Sequence, residues 1–401
     1  MPRMLSQDAQ GDDVKYLQDR LNSTPPTALP LLVADGTFGP ETVARVQELQ
    51  TNSGMGADGV VGSQTWAALL GSPVVITPGF FVLGRHLYDQ FGTRVILRGV
   101  NKMCVFDNVD PDGLISFPEI KQTGANSVRI VWAITQNLSP GGVPTSTITL
   151  DSLITNAKAQ HLIPMVELHD GTGIWSRLAD LVSYWVQPVV VTIIQKHEAY
   201  LLLNLGNEVG DDTVSLADFQ TGYADAIQQL RTAGIHTPLV IDASDWGKDL
   251  ARLNDAAAPL LAADPDRNLV FSVHMYWSKS CGADAAFIQT NLQQAVAMDY
   301  PLIIGEFSRY GGYPCNDPAA SICSPGGEIG YPTILATCSS LDLGWYAWEW
   351  GPGNAFGDPL CATMDMTPDR LRVNLKPGWA EQVAISSPFS IQNTSVTPGW
   401  I

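Results

Sequence analysis

The sequence predicts an α/β protein, a (β/α)8 TIM barrel preceded by a small three-helix domain. Eight short apolar runs, at 95–100, 127–132, 163–168, 201–206, 239–243, 269–275, 301–305 and 344–350, alternate with helix-like stretches such as 215–233 and 284–297. Strands buried on both faces and separated by helices imply a parallel sheet. Eight such units fit a closed barrel, which needs roughly 250 residues. The alternative, a doubly wound open sheet, lacks its Gly-x-Gly-x-x-Gly turn after the first strand. The third observation is a duplicated turn ahead of residue 72, outside the repeating pattern.

That turn is Ala34-Asp35-Gly36-Thr37-Phe38-Gly39, which recurs as Ala57-Asp58-Gly59-Val60-Val61-Gly62. Asp-Gly makes the turn, the second glycine permits a sharp path, and a helix follows. The first such helix carries Val43, Val46 and Leu49 on one face, and the second carries Trp66, Leu69 and Leu70. Upstream, Val14, Leu17 and Leu21 keep the same spacing behind an N-cap expected at Asp12 or Asp13. The expected organisation is a helical domain over 1–72, a stiff uncharged linker with two prolines over 73–80, and the barrel over 81–401.

The 401 residues carry 22 Lys plus Arg against 40 Asp plus Glu, a formal charge of −18. That balance disfavours nucleic acid and anionic membrane, both rich in phosphate, and leaves a neutral polysaccharide compatible. No apolar run reaches the ~18 residues of a membrane span, and residues 1–20 hold no apolar core of a secretory signal. Six cysteines, at 104, 281, 315, 323, 338 and 361, are an even set. Four fall in loop-like stretches, which suggests disulfides and an oxidising compartment. Neither a Cys-x2-Cys pair nor a nearby His supports zinc. Asn108, Asp110, Asp112, Gly113, Ile115 and Glu119 have calcium-loop spacing, but Pro111 and Pro118 fit it poorly. An Asp/Pro turn with an acidic helix start is the plainer reading.

Polar residues at the C-terminal ends of barrel strands converge on one pocket. Here they are Arg129 on the second run, His169-Asp170 after the third, Asn207-Glu208 after the fourth and Asp245-Trp246 after the fifth. His274 and Tyr276 follow on the sixth, Glu306 ends the seventh, and Trp345, Trp348 and Trp350 lie on the eighth. Taken singly, a strand-end Glu is more often half of a loop ion pair, a lone His a satisfied core residue, and a lone Trp core packing. So many at one end of one barrel are hard to explain by packing. Glu208 and Glu306 each close an apolar strand, where a charge is costly without a purpose. Two facing carboxylates with aromatic walls are what glycoside cleavage needs.

Residues 80–385 resemble glycoside hydrolase family 5 within the clan of retaining (β/α)8 glycosidases. The resemblance rests on Arg98-Gly99-Val100-Asn101, Gly124-Ala125-Asn126-Ser127-Val128-Arg129, Glu167-Leu168-His169-Asp170, Gly206-Asn207-Glu208, His274-Met275-Tyr276, Ile304-Gly305-Glu306-Phe307 and Ala347-Trp348-Glu349-Trp350. It implies Glu208 as acid/base and Glu306 as nucleophile, with Arg129 and Tyr276 holding Glu306 ionised. It further implies that Asn207 bonds the sugar 2-hydroxyl, that His169 and His274 line the −1 subsite, and that Trp348 forms its floor; Trp246 and Trp350 are further substrate-binding candidates. Arg129 is expected to lower the pKa of Glu306. Glu208, with no obvious cation of its own, is expected to stay protonated through burial.

Within the family the chain looks like bacterial β-mannanases, on Val166 to Gly173, Ile241 to Gly247, Phe271 to Tyr276 and Trp348 to Gly351. It departs from the family at Val209, where Pro or an aromatic is usual, and from mannanases at Lys102, Met103 and Cys104, where His and Trp are usual. The implied activity is retaining endo-hydrolysis of a β-1,4-linked polysaccharide, β-mannan by preference. An endo-β-1,4-glucanase, an enzyme of the bacterium's own envelope glycan and a non-catalytic carbohydrate-binding barrel are the alternatives. Residues 5–71 resemble the small peptidoglycan-binding domain of bacterial cell-wall enzymes, through Gly11-Asp12-Asp13-Val14, Leu17-Gln18, Leu21 and both turns. The protein is expected to be monomeric, to need no cofactor or metal, and to be secreted or wall-associated.

Overall fold

The computed structural model describes residues 2–24, 28–71, 79–134, 146–311, 327–354 and 361–401. Eight parallel strands close into a barrel: β4 (Arg98–Lys102), β5 (Ser127–Trp132), β6 (Ile163–Leu168), β7 (Leu202–Asn204), β8 (Leu239–Asp242), β9 (Leu269–His274), β10 (Leu302–Glu306) and β11 (Gly344–Ala347). Each falls within or against one of the eight apolar runs. The expected helices form as Leu216–Thr232 and Ala285–Ala297, capped by the side chains of Ser215 and Asp284, which accept orphan N–H groups of the first turn. Between strands and helices lies one large apolar core that includes Trp132, Trp185, Trp345 and Trp350.

The first run spans two elements rather than one. Arg94–Val95 is β3 of a separate antiparallel sheet with β1 (Phe81–Leu83) and β2 (His86–Tyr88), and the chain enters the barrel only at Arg98. This small sheet is buried on both faces, which explains the unbroken apolar string at 80–83. Phe80, Val82, Leu87, Val95 and Leu97 pack on Ile163, Leu202, Val240, Val270 and Ile303, at or beside the starts of barrel strands. Phe81, Leu83 and Tyr88 point the other way, into the core of the N-terminal helices. The sheet therefore stops the N-terminal mouth of the barrel, and Trp400 joins it against Phe80 and by donating to Asp89 at 2.8 Å.

The helical domain has α1 (Asp12–Ser23), α2 (Pro40–Asn52) and α3 (Ser63–Leu70). Val14, Leu17, Leu21, Val46, Trp66 and Leu69 fill its core, with Val43, Leu49 and Leu70 partly buried against it. Each duplicated turn is held by a buried glutamine. Gln18 donates to Asp35 and Thr42 and accepts from Gly36 N; Gln50 repeats this with Asp58, Thr65 and Gly59 N. The first N-cap is Gly11, not Asp12 or Asp13; Asp13 is buried and bonded to Arg3, and Asp12 accepts from Arg94 N at 3.0 Å. The small core reaches past residue 72, and Phe80, at the end of the expected linker, is buried; residues 72–78 lie outside the described residues.

Cys104 and Cys338 are buried free thiols, so the suggested disulfides do not include these two, and Cys338 lies in a helix and not in a loop. Both sit in the apolar layer around the barrel, where a thiol serves as a small hydrophobe. Cys281 and Cys361 are disulfide-bonded; Cys315 and Cys323 lie outside the described residues. The calcium-like loop is a capped turn. Asp110 accepts from Ile115 N and Ser116 N, both at 2.8 Å, and Glu119 accepts from Arg372 N at 2.8 Å.

A chain beginning at Gly79 would expose Phe81, Leu83 and Tyr88, each worth roughly 1.5–3 kcal/mol when fully buried. Thermal melts should show it well below the full chain. Turnover of a soluble substrate per folded molecule should be unchanged, because the loss is at the closed end of the barrel. Equal melting temperatures would mean that the shared core contributes nothing to the barrel.

Candidate active site

The C-terminal ends of the strands bring most of the expected residues together. Arg129, inside β5, is fully buried and bonds to β4, β7, β8, β10 and the loop after β7. It donates from Nη1 to Glu306 Oε1 at 2.7 Å and Asn101 Oδ1 at 2.9 Å. From Nη2 it donates to Asn204 and Asn207, both at 2.8 Å, and to Asp242 at 3.2 Å. The second oxygen of Glu306 accepts from Tyr276 Oη at 2.6 Å. Both carboxylate oxygens of Glu306 are thus fixed at the end of β10.

Glu208 lies in the loop after β7 in a left-handed conformation, φ 49°, which residues other than glycine rarely adopt. Its carboxylate pairs with His274 Nδ1 at 2.8 Å, and His274 Nδ1 also stands 3.6 Å from Glu306. The expectation that Glu208 lacks a cation is therefore corrected. Burial lowers the pKa of His274, but Glu306 and Asp242 beside it raise it to about 10, so the imidazole is a cation at neutral pH. Burial, with Glu208 beside it, raises the pKa of the Glu306 carboxyl on balance, although Arg129 lowers it as expected, and so does His274.

One oxygen from each of Glu208 and Glu306 and a ring nitrogen of His274 lie within 4.8 Å of one another. Three such donors could in principle share a metal ion, but the Arg129 guanidinium already bonded to Glu306 places a fixed positive charge there. The short spacing suits double displacement, where carboxyls stand about 5–5.5 Å apart, and not inversion, where roughly 6.5–9.5 Å leaves room for a water.

His169 and Trp348 stack with ring centroids 6.0 Å apart and planes 16° apart. His169 is held by Glu167 at 2.9 Å, and Trp348 donates from its indole to Asn354 at 3.0 Å. Asn207 is nearly fully buried; its oxygen accepts from Arg129 and its amide donates to Thr172 at 2.9 Å, leaving one N–H. Trp246, half-buried, sits beside the Glu208 loop, its indole packed against Gly173. At Gly173, φ +70°, an added Cβ would come within 2.3 Å of that indole nitrogen. Trp345 is fully buried in the apolar core outside the barrel and is one exception, and Trp350 is another. It lies beyond the end of β11, has no exposure, and donates to Arg370 O within the outer core, so it does not reach the cleft.

Sequence reasoning gave no role to Asn101, Glu167, Asn204 and Asp242, all buried around Arg129 or His169. Their signal was a polar residue within an otherwise apolar strand. The departures at 102–104 have a structural use. Lys102 is buried and paired with Asp107 at 2.5 Å, which Arg370 also grips. Met103 donates its N–H to Glu349 at 3.2 Å, and burial pushes that carboxyl up to about 8.

A family model described as cellulase (glycosyl hydrolase family 5) matches residues 89–354, and one described as a peptidoglycan binding domain matches residues 10–69. A mannan endo-1,4-beta-mannosidase of Salipaludibacillus agaradhaerens is 32% identical over 293 residues, covering 72% of this chain and 86% of that protein. The solved β-mannanase of Thermomonospora fusca is 31% identical with a TM-score of 0.68, covering 80% of this chain and 98% of that one. The N-terminal region is 42% identical over 62 residues to a zinc D-Ala-D-Ala carboxypeptidase of Streptomyces albus G, 16% of this chain and 24% of that protein. Fold, facing carboxylates and similarity agree: the chain is a glycoside hydrolase and belongs to glycosyl hydrolase family 5.

Proposed function

We propose that the protein is an endo-β-1,4-mannanase that cleaves with retention of configuration, Glu306 acting as nucleophile and Glu208 as acid/base. The observation that carries this is the short approach of the two carboxylates, within 4.8 Å, on a chain whose similar proteins are named as mannanases. Arg129 and Tyr276 leave Glu306 one productive orientation. In the first step Glu306 attacks the anomeric carbon while Glu208 gives its proton to the departing glycosidic oxygen. In the second, Glu208 takes a proton from water, which attacks the same carbon and releases Glu306. As Glu208 loses its proton, cationic His274 at 2.8 Å stabilises the new carboxylate. The stacked His169 and Trp348 present an apolar wall to the sugar, the spare N–H of Asn207 reaches its 2-hydroxyl, and Trp246 offers a platform at the rim.

All of these groups come from one chain, so a single copy suffices. We place the enzyme outside the cell or at the wall; disulfide-bonded Cys281 and Cys361 and the peptidoglycan-binding match at 10–69 support this. Residues 10–69 would serve to hold it on peptidoglycan.

The substrate is tested by incubating the protein with mannan, glucomannan, carboxymethyl-cellulose and peptidoglycan side by side. Fastest release of reducing ends from mannan is expected. Faster cleavage of carboxymethyl-cellulose would make it a glucanase, cleavage of peptidoglycan alone an envelope enzyme, and no cleavage a binding barrel.

The two glutamates separate by chemistry. Glu208→Ala should slow mannan cleavage by about 10²–10⁴-fold, the usual worth of general acid–base help, yet still react with an aryl glycoside whose leaving group needs no proton. Azide should then rescue its turnover with retained configuration. Glu306→Ala should lose turnover on both substrates, and any azide product should be inverted. The opposite pattern of configurations would exchange the two roles.

Wall attachment is read by sedimentation with insoluble bacterial sacculi. The full chain should pellet with them in buffer, and failure to do so would remove peptidoglycan as the ligand of residues 10–69.

A further inference from the structure

The charges of the site converge on a carboxylate to which the reaction scheme gives no role. Asp242 ends β8 and is fully buried. Its Oδ2 accepts from Arg129 Nη2 at 3.2 Å and from the backbone N–H of Glu208 at 3.1 Å, and it lies 3.3 Å from Nε2 of His274. One oxygen therefore meets the guanidinium that holds Glu306, the main chain of Glu208, and the ring that stands between the two glutamates. Burial raises the pKa of Asp242, but His274 and Arg129 bring it down to about 2, so it is charged at any working pH.

Two features of Glu208 call for such an anchor. Its left-handed φ of 49° is a conformation that persists only where surroundings over-determine it, and the N–H bond to Asp242 is a direct restraint on that residue. Its carboxyl also depends on the protonation of His274. The groups facing that ring are Glu208 from the loop after β7, Asp242 from β8 and Glu306 from β10, with Arg129 from β5 behind them and Tyr276 two residues along. With Glu208 protonated for the first step, Asp242 and Glu306 balance Arg129 and His274. Without Asp242 the ring would face a neutral Glu208 and a single carboxylate already shared with Arg129 and Tyr276, a weak hold for a buried cation.

We propose that Asp242 is a positioning residue for the acid/base: it fixes the main chain of Glu208 and holds His274 as the doubly protonated cation whose Nδ1–H points at the Glu208 carboxyl. The proposal rests on the reading of Glu208 as acid/base. Asp242 touches neither sugar nor reacting atoms, and acts through the two residues that it orients.

Asp242→Asn keeps the shape and an oxygen for the Glu208 N–H but removes the charge. Its kcat/KM on mannan should fall by about 100-fold, the size of effect expected when a catalytic group is misplaced. Its kcat/KM on a dinitrophenyl β-mannoside, whose leaving group needs no proton, should fall by less than about threefold. The alkaline limb of the mannan pH profile should move to lower pH as His274 loses its proton earlier. Equal losses on the two substrates with an unmoved profile would reduce Asp242 to a structural role and overturn the proposal. If the variant does not fold, 15N NMR of the imidazole in the unaltered enzyme decides. Two ring N–H groups on His274 persisting above pH 8 are expected, and a neutral ring at pH 7 overturns the proposal. Absence of mannan cleavage by the unaltered enzyme would instead strike the substrate reading and leave the NMR result standing.

Discussion

Everything at the open end of this barrel is arranged around one buried guanidinium. Arg129 has no solvent to share its charge, and removing such a group from water costs several kcal/mol unless geometry and partners return it. The partners come from β4, β7, the loop after β7, β8 and β10, as Asn101, Asn204, Asn207, Asp242 and Glu306. Because they are rigidly spaced side chains on different strands, satisfying Arg129 also sets the relative position of the strand ends. The register of the barrel and the placement of Glu306 are one and the same solution. The carboxylates around the guanidinium in turn hold His274 charged, and His274 reaches Glu208, so the two glutamates are joined through a chain of ionic contacts and not merely by proximity.

The barrel was legible because its strands are hydrophobic on both faces and its helices are not, a contrast that survives without any alignment. The strand-end residues were legible for the complementary reason, since a charge at the end of an apolar run needs a cause. What escaped the sequence was whatever depends on who faces whom. Glu208 looked free of cations because its partner, His274, is 66 residues away in the chain. Asp242 and Glu167 were visible as letters in a motif, but their work lies in contacts to Arg129, His274 and His169. Trp350 was misplaced because the eighth apolar run continues to residue 350, past Ala347, where the strand ends and the chain turns into the outer core.

The sheet at 81–95 shows the same limit in another form. An unbroken apolar string at 80–83 reads as a chain on its way into a barrel, whereas alternate residues serve two different cores. Period-two patterning is invisible when both faces are dry. The six cysteines had an analogous ambiguity: evenness of number suggested pairing, while Cys104 and Cys338 were recruited for volume in an apolar layer.

That two-faced sheet gives the molecule a direction. The N-terminal helices are fastened to the stopper of the barrel, and the glutamates lie at the opposite end, a strand length away, on the order of 20 Å for six residues. Whatever takes hold of the helices, whether a wall polymer, a fused protein or the matrix of a column, acquires the enzyme with its mouth turned outward. A polymer chain approaching from the far side meets the cleft without crossing the anchor, so attachment and cutting need not compete for the same space.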